Sequence, residues 1–362
     1  MNRCVLWLVC TAGVTALLIS PLTAADVIDW GKARAIYQKV QQGVEVSVED
    51  RAYLEKAKAL RVAQGGQNPA GQVTARQVKA ETGFTPLPEL TVSYKGQEGG
   101  LYGAGQNLPP PALDTMARAA LAKITPLDAQ GKPNPGGKVV LLSIGMSNTT
   151  MEFSGFIELA KVDKRKADAV VVVDGAQGGQ SADRIANEAA PFWKNIDQRL
   201  AAAGVAPKQV QAIWLKQAFP GPREEFPMEA RRLAGYLEQD IAIARKRYAN
   251  LRVIYLSSRI YAGFATTGLN PEPHAYEGAF AVRWAILNQL EPTATKADSV
   301  LLWGPYLWAD GIRGRKTDGL VWKAEDFAPD GAHPGPSGRV KVAEQLLGFF
   351  HASPYAAWYR RP

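Results

Sequence analysis

Residues 138–148 read KVVLLSIGMSN, and the reading of this stretch decides the fold. Its first part is a near-continuous run of aliphatic side chains without polar alternation. A strand apolar on both faces must be buried on both faces, the situation of a parallel sheet covered by helices. The run ends abruptly in Gly145-Met146-Ser147-Asn148, where a turn or a helix cap is due. Ser147 therefore stands at the carboxyl end of a buried strand, either as a cap or as a nucleophile. The stretch alone leaves both open.

Four further runs repeat the pattern: DAVVVVDG (168–175), VQAIWLK (210–216), LRVIYLSS (251–258) and SVLLWG (299–304). Amphipathic stretches near 149–162, 181–203, 226–247, 277–291 and 337–350 predict helices between and after them. Strands alternating with helices over 136–353 predict an α/β domain: a three-layer, doubly wound, five-stranded parallel sheet. Ligands of such sheets bind beyond the carboxyl ends of the strands. That edge is small and polar: Ser147 and Asn148, then Gln177-Gly178-Gly179, Lys216-Gln217, Ser257-Ser258-Arg259 and Gly304-Pro305-Tyr306. Asp174, just after the second apolar run, reads as a turn residue leading into the glycines, with a metal or acid role as the alternative.

The rest of the 362-residue chain bounds the answer. Its 46% hydrophobic and 21% charged residues are ordinary for a protein with a real core. Residues 1–25 carry Arg3, an apolar stretch and small residues at Ala24 and Ala25, which predicts a secretory signal peptide; an uncleaved anchor is the alternative. Val9 before Cys10 argues against a lipid anchor. After cleavage no stable membrane span is expected, and the protein is expected to be exported. Cys4 and Cys10 are the only cysteines, so the mature chain has no thiol nucleophile, thiolate metal site or disulfide. Lysine and arginine number 42 against 34 acidic residues, and the resulting +8 is spread along the chain. This argues against a nucleic-acid partner and allows attraction to anionic polysaccharide.

Residues 26–66 predict a helical hairpin, with Ser47 and Asp50 as a capping box and Gly43 and Gly65-Gly66 as stops. Residues 67–135 read as a Gly/Pro-rich connecting segment with one helix near 111–124, and 354–362 as a C-terminal tail. GLYGAGQN lacks the Gly-Lys-Ser/Thr ending of a phosphate loop, and either connects or folds back to wall a pocket. No cluster has metal-ligand spacing, and no cofactor is implied.

A serine nucleophile needs a base, and the chain has three histidines. His351 ends the last predicted helix, where capping is the simpler role, and His274 lies in a Pro-rich loop. His333 lies in PDGAHPGPSG, with Asp330 three residues upstream, a spacing that lets the carboxylate orient the imidazole.

The order Gly-x-Ser-Asn after the first strand, glycines after the second, and Asp-x-x-His-Pro before the last helix resembles the SGNH (GDSL-type) hydrolases. GMSN is most similar to the GQSN of the sialate O-acetylesterase and carbohydrate-esterase branches, and the resemblance covers roughly 136–353. It implies Ser147 as nucleophile, His333 as general base and Asp330 as its orienting acid. The N–H groups of Ser147 and of Gly178 or Gly179 would donate to the oxyanion. The chain departs from the pattern at Met146, which replaces an Asp, and in the third block. There the family offers an Asn, or a Gln-Gly-Glu, where WLKQA supplies Lys216 and Gln217. Gln217 would donate its amide; Lys216 would stabilise the oxyanion by charge or receive an anionic substrate group.

Arg259 would hold a carboxylate or sulfate, or pair with Glu272 or Glu277. Tyr306, Trp308 and Trp322 would stack on sugar rings or simply pack. GAQGGQ lacks dinucleotide spacing, and Thr149 stands where the α/β-hydrolase elbow needs its second Gly. The expectation is an exported serine esterase removing O-acyl groups, chiefly O-acetyl, from a neutral or anionic oligo- or polysaccharide. Alternatives are a non-catalytic carbohydrate- or envelope-binding protein and an O-acyltransferase. Oligomeric state is not readable.

Overall fold

The computed structural model describes residues 28–41, 46–63, 78–294 and 297–361. The predicted signal peptide and the stops at Gly43 and Gly65-Gly66 lie outside these residues. The chain divides into two compact units, Met1–Gly71 and Gln72–Pro362.

The first unit contains α1 (Trp30–Gln41) and α2 (Val48–Ala63). Ile28, Ala33 and Ala57 form its small apolar cluster, with Tyr53 against it. Ser47 Oγ accepts the Asp50 N–H at 3.1 Å, which satisfies one of the orphan donors at the start of α2.

The second unit is built on five parallel strands: β1 (Val139–Gly145), β2 (Val170–Asp174), β3 (Val210–Lys216), β4 (Val253–Leu256) and β5 (Val300–Trp303). Their order is β2-β1-β3-β4-β5, so the winding reverses between β1 and β3. This is the doubly wound α/β arrangement, and its switch point lies at the carboxyl end of β1. Every residue of β1 and β3 is buried, as their unbroken apolar runs require.

The helices are α4 (Ser147–Val162), α5 (Ala182–Ile185), α6 (Pro191–Ala202), α7 (Met228–Arg247), α8 (His274–Asn288) and α9 (Pro336–Ala352), with α3 (Pro111–Leu121) before the sheet. Right-handed crossovers in this strand order put α4 on one face and α5–α8 on the other. The packing of α4 on α9, and of α7 on α5 and α8, follows that division. The helix predicted over 181–203 is broken in two. Pro191 has no N–H to donate and holds Ala190 extended (φ −60°, ψ 137°), so it serves as the first residue of α6.

Two expected boundaries need correction. The Gly/Pro-rich segment is no mere connector where it is described: Leu87, Leu113 and Ala117 are fully buried in the main core. Polar contacts fix it too. Asp310 accepts from the N–H groups of Thr82 and Gly83 at 2.7 and 2.9 Å, and Gln209 Nε2 donates to Leu127 O at 2.6 Å. Nor do residues 354–361 form a loose tail. Pro354–Tyr359 is a 3-10 helix against α9, with Ala356 and Tyr359 buried, and the Ala167 N–H donates to Tyr359 O. Among the described residues no helix is long and apolar enough to cross a membrane.

Candidate active site

Ser147 is the first residue of α4, directly after β1. Gly145 permits this turn. A Cβ there would lie 2.4 Å from Lys216 O and 2.3 Å from Thr149 Oγ1, so any larger residue would push β1 away from β3 or from its own helix. The Met146 N-cap makes no side-chain bond, and the first N–H groups of α4 have no intrahelical acceptor. With the helix dipole, they make this end receptive to negative charge.

The start of α4 and the loop before α9 bring three side chains together. Ser147 Oγ lies 2.8 Å from His333 Nε2, and His333 Nδ1 lies 2.5 Å from Asp330 Oδ2. The other Asp330 oxygen accepts the N–H groups of Ala332 and His333, both at 3.0 Å. Burial works against the Asp330 charge. Its hydrogen bonds from the His333 ring and from the two backbone N–H groups outweigh this and hold its carboxyl at about 2. Asp330 is therefore ionised at neutral pH, and His333 Nδ1 carries the proton between them. Ser147 is half-buried, and the His333 and Asp330 side chains keep 22% and 28% of their surface, so the site is open to a ligand.

The loop carrying His333 is fixed from several sides. The Thr266 N–H donates to Asp330 O at 3.0 Å, and Ala328 N–H to His333 O at 2.8 Å. Gly331 has φ +64°, and a Cβ on it would fall 1.8 Å from Phe264 O, so only glycine fits there. The glycine turn after β2 is pinned beside β1 by the Gln177 N–H, which donates to Gly145 O at 3.0 Å. Gly179 has φ +75°. Among the described residues the N–H groups of Gly178 and Gly179 meet no protein acceptor.

Asp174 acts within the scaffold. It accepts from Ser143 Oγ at 2.5 Å, from Thr150 Oγ1 and from the Ala176 N–H, tying β1, α4 and the glycine turn together. Burial raises its pKa against the pull of those bonds.

The remaining expected site residues lie elsewhere. Lys216 is fully buried and paired with both oxygens of Glu152, at 2.7 and 2.6 Å. Burial pushes its ammonium down to about 8, and Glu152 limits the fall. Lys216 thus reaches neither an oxyanion nor a substrate anion. Gln217 is 2% exposed and gives its Nε2 to Gln180 O at 3.0 Å, so it braces the glycine turn. Arg259, expected either to take an anion or to pair with Glu272 or Glu277, is 3% exposed, donates Nη2 to Ala332 O at 3.2 Å and feels the charge of Glu272.

The three aromatic candidates are core residues rather than a sugar platform. Tyr306 OH accepts the Leu87 N–H, Trp308 Nε1 donates to Glu272, and Trp322 Nε1 donates to Leu307 O. Both tryptophans are 0% exposed, which leaves no face for a ring to stack on. His351 lies 2.8 Å from Asp163 and joins α9 to the end of α4, and His274 begins α8 beside Glu277.

The sequence reading missed Glu152. Its signal is periodicity: Thr149, Glu152, Phe153, Phe156 and Ala160 share the buried stripe of α4, so a lone charge on that stripe needs a buried partner. It also missed the side-chain bond of Asn148, whose Nδ2 donates to Ala332 O at 2.9 Å. Among the described residues no group of three or more His, Cys, Asp or Glu is placed to hold a metal ion.

No family model matches the chain, and no curated protein matches it. Solved structures resemble it at low identity. One is the periplasmic domain of a lipopolysaccharide acetyltransferase from Salmonella ser. Paratyphi A: 13% identity, 59% of this chain, 83% of that one, TM-score 0.36. Another is a Bacillus subtilis protein at 11% identity, covering 61% of this chain, with TM-score 0.36. A third is the salicylyl-acyltransferase SsfX3 of a tetracycline biosynthetic pathway, at 13% identity and 62% of this chain, with TM-score 0.31. The chain spans 58% of the length of each of the last two.

Proposed function

We propose that this protein is a serine esterase that hydrolyses O-acyl esters, chiefly O-acetyl, on carbohydrate. The observation that carries the reading is the continuous line Ser147 Oγ–His333 Nε2, His333 Nδ1–Asp330 Oδ2, at 2.8 and 2.5 Å. His333 takes the Ser147 proton as Oγ attacks the ester carbonyl, and Asp330 holds the ring in the tautomer that leaves Nε2 free to accept. The imidazolium then gives this proton to the sugar oxygen as its bond to the acyl carbon breaks, and the sugar leaves as the free hydroxyl. A water activated by His333 hydrolyses the acyl-serine and restores the enzyme.

The tetrahedral oxyanion lies at the start of α4, where the Ser147 N–H and a glycine N–H of the 178–179 turn donate to it. Each donor contributes about 2.7–4 kcal/mol in sites of this kind. With Lys216 and Gln217 engaged elsewhere, the backbone and the α4 dipole carry this stabilisation.

Carbohydrate as the acyl carrier is supported by the likeness of GMSN to the GQSN of carbohydrate esterases. The exported location expected from the leader fits such a substrate. The test is acetate release from an O-acetylated oligosaccharide, followed with and without a second, unacetylated sugar. Free acetate from the wild type, none from Ser147→Ala, supports the reading. Acetyl groups moved to the second sugar instead would make the protein a transferase. Glycan binding without any loss of acetyl would leave it a binding protein.

A further inference from the structure

We propose that Asn148 and Arg259 are positioning residues that set His333 against Ser147 through one shared acceptor, the carbonyl of Ala332. The proposal rests on the reading of Ser147, His333 and Asp330 as a catalytic triad, and extends it to two residues that touch no reacting atom.

The geometry is a pair of bonds between neighbouring residues on the two segments. Ser147 Oγ meets His333 Nε2 at 2.8 Å, and one residue along on each side Asn148 Nδ2 donates to Ala332 O at 2.9 Å. The same carbonyl accepts Arg259 Nη2 at 3.2 Å, from the loop after β4. The Ala332 N–H donates to Asp330 Oδ1 at 3.0 Å, so the residue before the histidine is gripped through both its polar groups. Asn148, Arg259 and Ala332 are 3%, 3% and 1% exposed, and water does not compete for these bonds.

A buried guanidinium is costly unless carboxylates surround it. Glu152, Glu272 and Asp330 all act on Arg259, and Lys216 is the other buried cation of the cluster. The site thus maintains a full buried charge where a shorter polar residue would make one hydrogen bond more cheaply.

The need for a second tie follows from the chemistry. In the resting site Ser147 itself helps to hold the imidazole. Once Oγ is acylated it has no proton to give, and that bond is gone while His333 must still activate water. The bond from Asn148 involves no reacting atom and persists through both halves of the cycle. A displacement of about 1 Å in such a site costs on the order of a hundredfold in rate.

The experiment compares wild type, Asn148→Ala, Arg259→Gln and Arg259→Lys. It reads kcat and KM on 4-nitrophenyl acetate, thermal midpoint, and the low-field proton NMR line of His333 Nδ1–H, identified by its loss in His333→Gln. Asn148→Ala and Arg259→Gln are expected to lower kcat by about tenfold to a hundredfold with KM nearly unchanged, and to shift or broaden the NMR line. Arg259→Lys, which keeps a cation and a donor, recovers most of the loss. Folded variants with wild-type kcat and an unmoved line overturn the proposal, as does a lowered midpoint with kcat intact. If one of the two truncations fails to fold, the other decides. The NMR line needs no substrate. A line that moves in the variants, in a protein that turns over no ester, leaves the positioning intact and removes the esterase reading alone.

Discussion

Ser147 Oγ and His333 Nε2 are 186 residues apart in the chain and 2.8 Å apart in the fold. The strand order creates this proximity. β1 lies inside the sheet at the switch point, and the last loop before α9 returns across its carboxyl end.

Asp330→Asn is expected to lower kcat by about 10⁴-fold while leaving KM within a few-fold. An amide facing Nδ1 presents an N–H as readily as an oxygen, so the ring loses the tautomer that lets Nε2 accept the serine proton. Steady-state kinetics on a small aryl acetate check this. A loss below tenfold would remove Asp330 from the mechanism.

The same carboxyl predicts a pH dependence of stability. It titrates at about 2 in the folded protein, against about 3.9 for an unfolded Asp. For a depressed value the stabilisation is fully present above the unfolded pKa and disappears as pH falls through the folded one. Urea midpoints of wild type and Asp330→Asn should therefore differ by a constant amount above about pH 4, and the difference should shrink from there towards about pH 2. A difference unchanged by acid would contradict the assigned shift.

Lys216 and Glu152 form a buried pair with no side-chain exposure on either partner. Removing one partner strands the other charge, so Lys216→Met should cost about 3–5 kcal/mol in chemical denaturation. The double variant Lys216→Met with Glu152→Leu should cost far less, because no charge is left without a partner. If Lys216→Met instead kept full stability and lost turnover, the lysine would have to be returned to the oxyanion.

Trp308 and Trp322 are expected to behave as core residues. Trp322→Ala should destabilise the fold by about 3–5 kcal/mol, with KM for a carbohydrate substrate unchanged in the folded fraction. A stable variant with a raised KM would restore the stacking role that burial denies.

Features set by local sequence were legible, and features set by distant partners were not. The strands were readable because burial on both faces leaves an unbroken apolar run, as in β1 and β3. The meeting of Ser147, Asp330 and His333 was legible because each sits at a fixed offset from a strand or helix end. Lys216 was misread because a lysine at a strand end looks free until its partner is known, and Glu152 comes from 64 residues earlier on another element. For Tyr306, Trp308 and Trp322 the choice between stacking and packing stayed open because nothing local marks them as covered. Part of the cover, around Leu87, comes from the Gly/Pro-rich segment more than two hundred positions upstream, whose lack of periodicity hid its place in the core.

The central claim is that Ser147 is a nucleophile activated by His333, and its most direct test is covalent. The protein is incubated with a fluorophosphonate and its intact mass recorded, followed by peptide mapping. The account predicts one added phosphonyl group, on Ser147, absent in Ser147→Ala and formed far more slowly in His333→Gln. An unmodified wild-type protein, or a label on any other residue, would contradict it.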